Sequence, residues 1–438
     1  MHNVIIQEPY RFVPPYRGKF WSWMFRTFLL RRFLRSAYGV TGWTVHGLDH
    51  LRQSLREGHG ILLCPNHCRP SDPMLMGLIV KETPCHVHAM ASWHIFKQSW
   101  LEAFIANRVG GFSVYREGLD RQALDTSISI VASASRPLVI FPEGVISRAN
   151  DRLLSLMDGV SFVARMAAKK RARQNPTAKV VIHPVSIRYE LQDPAEKTLS
   201  PVLSRLEQRT FWKTHEYMPL GRRIAQLGQA LLAAREIECL GQPQPGSLSE
   251  RMSALIDKVL HPQEQEWLGA PRCGDVIGRV KDLRTAIVPT LLKGDLSTDE
   301  YARRWRQLTD SYYLQCLSLY PPDYLDHGIR GRATPERFAE TVHRLEEDMT
   351  DAVTIRPEWH VRMQVGAPIM VDPEQKKPRA SDPLMRVLRE QILELLQVSD
   401  WWPCEPVSQL TVPPTADARR ADPLPADAAE SQPLLSNV

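Results

Sequence analysis

Short apolar runs that each stop at a cluster of polar, glycine and proline residues constrain this chain more than any other feature. They are Ile61-Leu62-Leu63-Cys64, the alternating residues 85–90, residues 137–141 and residues 179–189, with residues 43–48 before them. Apolar runs this short, bounded by turn residues, read as buried strands. Helical patterns fall between them. One opens at Asp72-Pro73, with Asp72 or Ser71 at the cap and proline at the first helical position; others cover residues 121–133 and 159–171. Strand and helix in alternation predict an α/β fold, a mostly parallel sheet flanked by helices, whose loops at the strand ends gather in one crevice.

The first of those loops carries Asn66-His67-Cys68-Arg69-Pro70-Ser71-Asp72. An imidazole held by a carboxylate is a general base, able to take a proton from a hydroxyl so that its oxygen attacks a carbonyl. With 14 histidines in the chain, a His and an Asp five apart also arise by chance, and a loop histidine beside a helix cap is the plain alternative. Three later blocks, in a fixed order along the chain, add weight to the catalytic reading. Gly111-Phe112-Ser113-Val114-Tyr115-Arg116 comes first, then Phe141-Pro142-Glu143-Gly144-Val145-Ile146-Ser147-Arg148, then Val180-Val181-Ile182-His183-Pro184-Val185, each where a strand meets a loop.

Together these blocks resemble the glycerolipid acyltransferase family, the 1-acylglycerol-3-phosphate type among them. The family's blocks read N-H-x-x-x-x-D, G-x-x-x-x-R, F-P-E-G-T-x-S and an apolar strand ending in proline, and the resemblance covers about residues 40–190. It implies catalysis by His67, oriented by Asp72, with direct transfer of a fatty acyl group from acyl-coenzyme A or acyl carrier protein to a lysophospholipid acceptor. Arg116, in the block that starts at Gly111, would grip the acceptor's phosphate. Glu143 and Gly144 would form the glycerol side of the site, Arg148 would add a second cation, and Ser147 and Pro184 would shape the loops. No cofactor and no metal are implied. The third block departs from the pattern at Val145, where threonine is usual, and at Ile146, where many members carry arginine. 1-Acylglycerol 3-phosphate, glycerol 3-phosphate and other lysolipids all stay open as acceptors. Other readings are a catalytically silent membrane-binding protein, a hydrolase using the same base on water, and a covalent route through Cys68, whose thiolate would be reactive beside an imidazolium.

Composition limits the partners. A formal charge of +6 over 438 residues does not demand nucleic acid, although it suits an anionic lipid surface. Seven scattered cysteines argue against a disulfide framework and for a reducing, cytoplasmic setting. No secretory signal is visible, and no run approaches the roughly 18 uncharged apolar residues of a membrane-spanning helix. Residues 1–39 read as a membrane-contact segment on the inner face of the cytoplasmic membrane. Phe20, Trp21, Trp23, Met24, Phe25, Phe28, Leu29, Leu30, Phe33 and Leu34 mix there with Arg17, Lys19, Arg26, Arg31, Arg32 and Arg35. Packing of that helix on the catalytic domain is the equal alternative. Cys64, Cys68, Cys85, His86 and His88 do not follow zinc-ligand spacings. The runs Lys169 to Arg173 and Arg303 to Arg306 read as a helix end and a solvated helix face.

The catalytic domain is expected in two parts, 40–200 and 356–400. Residues 201–355 form a helical insertion, marked by the starts Ser247 with Glu250, Ser297 with Glu300 and Thr334-Pro335. After it, Trp359 to Val365 alternates like a half-exposed strand, and Asp382-Pro383 opens a last helix to Leu396. The insertion is expected to cover the acyl groove or to bind a partner such as an acyl carrier protein. Residues 401–438 read as a disordered tail.

Overall fold

The central strands are buried on both faces, which is why their sequences run apolar without alternation. In the computed structural model, β2 (Gly60–Pro65) sends Ile61 and Leu63 into one core and Leu62 and Cys64 into the other. The structure describes residues 8–175, 177–321, 325, 333–375 and 382–397; the tail read as disordered lies outside them. The other strands are β1 (Val40–His46), β3 (His88–Ser92), β4 (Gly111–Val114), β5 (Leu138–Val139), β6 (Val180–Leu191), β7 (Trp359–Val365) and β8 (Ile369–Met370). They form one sheet in the order β1-β7-β6-β2-β5-β3-β4, with β8 beside β6. The pairs β6–β2, β2–β5, β5–β3 and β3–β4 are parallel, and so is β1–β7. Among the described residues, the antiparallel pairs are β6 with β7 and β6 with β8. The expected α/β fold with a mostly parallel sheet is what the chain adopts.

Parallel order matters for function, because β2, β5, β3 and β4 end on the same edge. The loops carrying His67, Glu143 and Arg116 therefore open there together. Helices Asp72–Lys81, Arg121–Ser133 and Gly159–Gln174 cover the faces. Two strands differ from their sequence reading. Residues 85–87 precede β3, and β5 keeps only two residues: the Ile140 N–H still donates to the Leu63 carbonyl of β2, and the chain then turns at Phe141 into the third block.

The amino-terminal segment is partly structural. Val13 exchanges bonds with Ser113 of β4, its carbonyl accepting from the Ser113 N–H and its N–H donating to Ser113 Oγ, which covers an otherwise open sheet edge. Helix Leu30–Tyr38 then buries Leu30 and Leu34 in the main core, while Phe20, Trp23, Phe28 and Leu29 stay exposed. Arg26 is turned inward onto the Val80 and Cys85 carbonyls. The segment thus packs on the domain with one face and leaves aromatic residues exposed on another. No helix among the described residues is long and apolar enough to cross a membrane.

Between β6 and β7 lie helices Ala195–Phe211, Leu220–Leu240, Leu248–Leu268, Val276–Leu292, Thr298–Ser318 and Pro335–Thr350. The starts read from sequence are real caps: Ser247 and Glu250 form a reciprocal capping box, and Ser297 and Thr334 each accept an N–H of the following turn. The middle helices share a core of their own around Leu255, Leu260, Val280, Leu283, Ile287 and Leu308. The outer ones belong to the main core through Leu199, Leu203, Leu206, Val342 and Leu345. β7 alternates buried and half-buried residues as its sequence suggests.

Candidate active site

His67 stands just past the end of β2, held there by its own backbone. Asn66 does the first part of the work. Its side-chain amide donates to the Ile187 carbonyl and accepts from the Ile187 N–H, so it extends the β2–β6 ladder one step beyond Pro65. The His67 N–H then donates to Glu143 Oε1 at 2.6 Å, and the His67 carbonyl accepts from the Ser147 N–H at 2.7 Å. The third block grips the base from both sides.

The imidazole is oriented by Asp72. Nδ1 lies 2.9 Å from Asp72 Oδ2, and the ring packs on Phe141 with centroids 4.2 Å apart. Asp72 is fully buried and well supplied with donors: Oδ2 accepts the N–H groups of Cys68 (2.7 Å) and Arg69 (2.8 Å), and Oδ1 accepts the Tyr189 hydroxyl (2.6 Å). Ser71 Oγ completes the chain at 2.6 Å from that hydroxyl. A carboxylate with this many donors is fixed in place. Nδ1 of His67 is therefore the protonated nitrogen, which leaves Nε2 with its lone pair and without a hydrogen-bond partner among the described residues. Helix Asp72–Lys81 starts here with Pro73 in its first turn, so one aspartate serves the loop, the base and the helix start.

The residues read from sequence as substrate contacts divide sharply. Arg116, just beyond β4, has no ion-pair or hydrogen-bond partner among the described residues; burial and the nearby charge of Arg284 push its guanidinium down to about 10. It is an unpaired cation just past β4, on the sheet edge that also carries His67. Glu143 is not a glycerol contact: it is 1% exposed, with its second oxygen accepting the Leu154 N–H at 2.8 Å. Burial pushes this carboxyl up to about 8, although the two N–H bonds pull the other way. Gly144 has φ +69°, and a Cβ there would run into Met157 Sδ, so the glycine is required by the turn. Gly111 lets the backbone of helix Trp100–Arg108 approach, since a Cβ would meet the Ala106 carbonyl oxygen. Ser147 is fully buried and donates from Oγ to the Ala149 carbonyl. Arg148 pairs with Glu347 of helix Pro335–Thr350 at 2.7 Å, which commits the expected second cation. Thus Gly111, Glu143, Gly144 and Ser147 build the loops, and their polar groups are used internally.

Cys68 is no nucleophile. It is 1% exposed, and burial, reinforced by the Asp72 charge, pushes its thiol well up, so the thiolate is disfavoured. Of the residues considered for zinc, Cys64 and Cys68 lie in separate cores and His88 is bonded to the Gly110 carbonyl. No group of three metal-ligating side chains converges among the described residues.

Several contributors were not picked out from sequence. Tyr189, Asn66 and Asn150 act across long separations; Asn150 pairs its amide with the backbone of Tyr189 as Asn66 does with Ile187. Arg69 stacks on Trp359, 3.8 Å from the ring, and bonds Glu340, which also accepts the Asn150 N–H. Helix Pro335–Thr350 thereby ties the first and third blocks together. Only the position of Asn66 beside His67 carried a signal.

A comparison with curated proteins finds no match to this chain. Residues 42–188 match the family model described as Acyltransferase, a stretch that takes in His67, Asp72, Arg116 and the third block, and this part of the chain is an acyltransferase domain.

Proposed function

We propose that the protein transfers a fatty acyl group from acyl-coenzyme A or acyl carrier protein to the free hydroxyl of 1-acylglycerol 3-phosphate, giving phosphatidic acid. The observation that carries this reading is the His67–Asp72 pair with Nε2 open, on the edge where the unpaired Arg116 also lies. Nε2 takes the acceptor's hydroxyl proton as that oxygen bonds to the thioester carbon. The tetrahedral oxyanion then collapses, the C–S bond breaks, and the imidazolium returns the proton to the leaving thiolate. The N–H groups of His67, Cys68 and Arg69 are already spent on Glu143 and Asp72, so donors to the oxyanion come from elsewhere around the crevice. Arg116 anchors the acceptor through its phosphate. No bound cofactor or metal is needed for these steps.

A membrane surface is the proposed source of the acceptor, with the protein on the inner face of the cytoplasmic membrane. Phe20, Trp23, Phe28 and Leu29 are exposed on one segment, and Arg31, Arg32 and Arg35 beside them are exposed as well. Rings that bury in acyl chains and guanidiniums that meet lipid phosphates suit that boundary.

Acyl transfer from acyl-coenzyme A to labelled 1-acylglycerol 3-phosphate in vesicles is the test, with glycerol 3-phosphate as a parallel acceptor. His67→Ala should lose about 10²–10⁴-fold in rate, the usual span for a general base. Transfer to glycerol 3-phosphate alone would assign the earlier acylation step, and unchanged activity in His67→Ala would refute the mechanism.

A further inference from the structure

The departure at Val145 leads to a second residue in the anion site. Val145 is 7% exposed and packs in a small cluster with Leu154, Leu319 and, from helix Val276–Leu292, Ile277. An apolar side chain fits there because the helices between β6 and β7 lie over the third block; Arg152 fastens the same contact by donating to the Leu319 carbonyl at 3.2 Å. A hydroxyl at position 145 would be buried against apolar neighbours.

About two turns along helix Val276–Leu292 from Ile277 sits Arg284, 4% exposed. Its Nη2 bonds Glu117 Oε1, and Glu117 is the residue next to Arg116. Its Nε is buried without a partner among the described residues. Tyr312, from the next helix, is close enough to bear on both guanidiniums. Arg284 is thus bonded to the carboxylate of Glu117 and lies near enough to the neighbouring Arg116 for the two guanidiniums to act on each other. Glu117 holds Nη2 of Arg284 while the buried Nε has no partner among the described residues, and a planar fork with a donor to spare suits binding of a phosphate.

We propose that Arg284, supplied by the helices between β6 and β7, completes with Arg116 a two-guanidinium site for the phosphate of the acceptor. Glu117 is the positioning residue that orients Arg284. The charge balance supports this: two cations and one anion leave a surplus in a desolvated place, which a phosphate monoester offsets. Burial, and after it the charge of Arg284, lowers the Arg116 guanidinium in the same place. The helical stretch would then select for a phosphorylated acceptor, and Arg148, held by Glu347, would not take part.

The inference rests on the acyl-transfer reading only for its kinetic half. Binding of glycerol 3-phosphate to the full chain, measured by calorimetry without turnover, tests it separately. Arg284→Gln should weaken that binding at least tenfold. It should raise KM for 1-acylglycerol 3-phosphate by a similar factor with kcat within about twofold, and leave KM for a phosphate-free 1-acylglycerol unchanged. Arg284→Lys, which keeps the charge and guards against a folding artefact, should recover part of the loss. Glu117→Gln should weaken binding less than Arg284→Gln, since Arg284 keeps its charge. Unchanged glycerol 3-phosphate binding in Arg284→Gln would overturn the proposal. So would an equal loss with phosphorylated and phosphate-free acceptors, which would make Arg284 only a latch between the helices and the sheet. A wild type that binds glycerol 3-phosphate through Arg284 yet transfers no acyl group would refute the proposed function and leave the anion site standing.

Discussion

Asp72→Asn separates what this aspartate does for the fold from what it does for His67. The carboxylate accepts four bonds: His67 Nδ1, the N–H groups of Cys68 and Arg69, and the Tyr189 hydroxyl. An asparagine of the same shape can place its oxygen where Oδ2 now accepts three of them. Its amide then faces the Tyr189 hydroxyl, which can reverse and accept. The structural cost is therefore the loss of charge assistance in these bonds, about 1–3 kcal/mol. Catalysis loses more. During proton transfer His67 becomes a cation with only a neutral amide beside it, and rate should fall by about 10²–10⁴-fold, the range expected for a disabled general base. Acyl transfer in vesicles gives the rate, and urea denaturation gives the stability. Asp72→Ala should instead lose both, because it strands the two loop N–H groups and the tyrosine hydroxyl in the interior. An Asp72→Asn enzyme within fivefold of wild-type rate, with its fold intact, would refute the orienting role.

Two further expectations concern the fold and the surface. Arg165 and Asp382 form a bidentate pair at 2.6 Å per bond, both nearly buried, and the bonds from Arg165 hold the Asp382 carboxyl down at about 2 against an ordinary 3.8. A carboxyl lowered in the folded state contributes stability above its unfolded value, about 2 kcal/mol here, and loses it as pH falls through about 4 towards 2. Asp382→Asn should therefore cost at least that much at pH 7 and progressively less below pH 4 by urea denaturation, and a gap constant with pH would contradict the assignment. Replacing Trp23 and Phe28 together by glutamate should abolish sedimentation with anionic vesicles while leaving the melting temperature within a few degrees, since both side chains are exposed; retained vesicle binding would remove the membrane face.

Much of the site was legible because its parts are local. The five-residue spacing from His67 to Asp72 spans one strand-to-helix loop, so both side chains are bound to meet once the helix starts at Asp72. Caps and strand ends are likewise written in neighbouring residues, which is why Ser247 with Glu250 and Asp382-Pro383 announced their helices. Strand length was less legible at β5, where the chain turns into the third block directly after the Ile140 N–H donates to the Leu63 carbonyl. Side-chain direction was not legible at all at Glu143: a buried carboxyl turned to the N–H groups of His67 and Leu154 has the same sequence as one facing a ligand.

The sequence by itself determined the class of fold, the order of the loops on one sheet edge, and the histidine with its aspartate, because apolar periodicity, caps and short spacings act within a few residues. Tertiary structure alone decided who supports and who is free. Tyr189 reaches Asp72 across 117 positions, and Glu340 reaches Arg69 across 271. Arg284 reaches Glu117 across 167. Such partners are chosen by packing and by the need to satisfy every buried polar group, and neither condition is expressed until the chain has closed on itself.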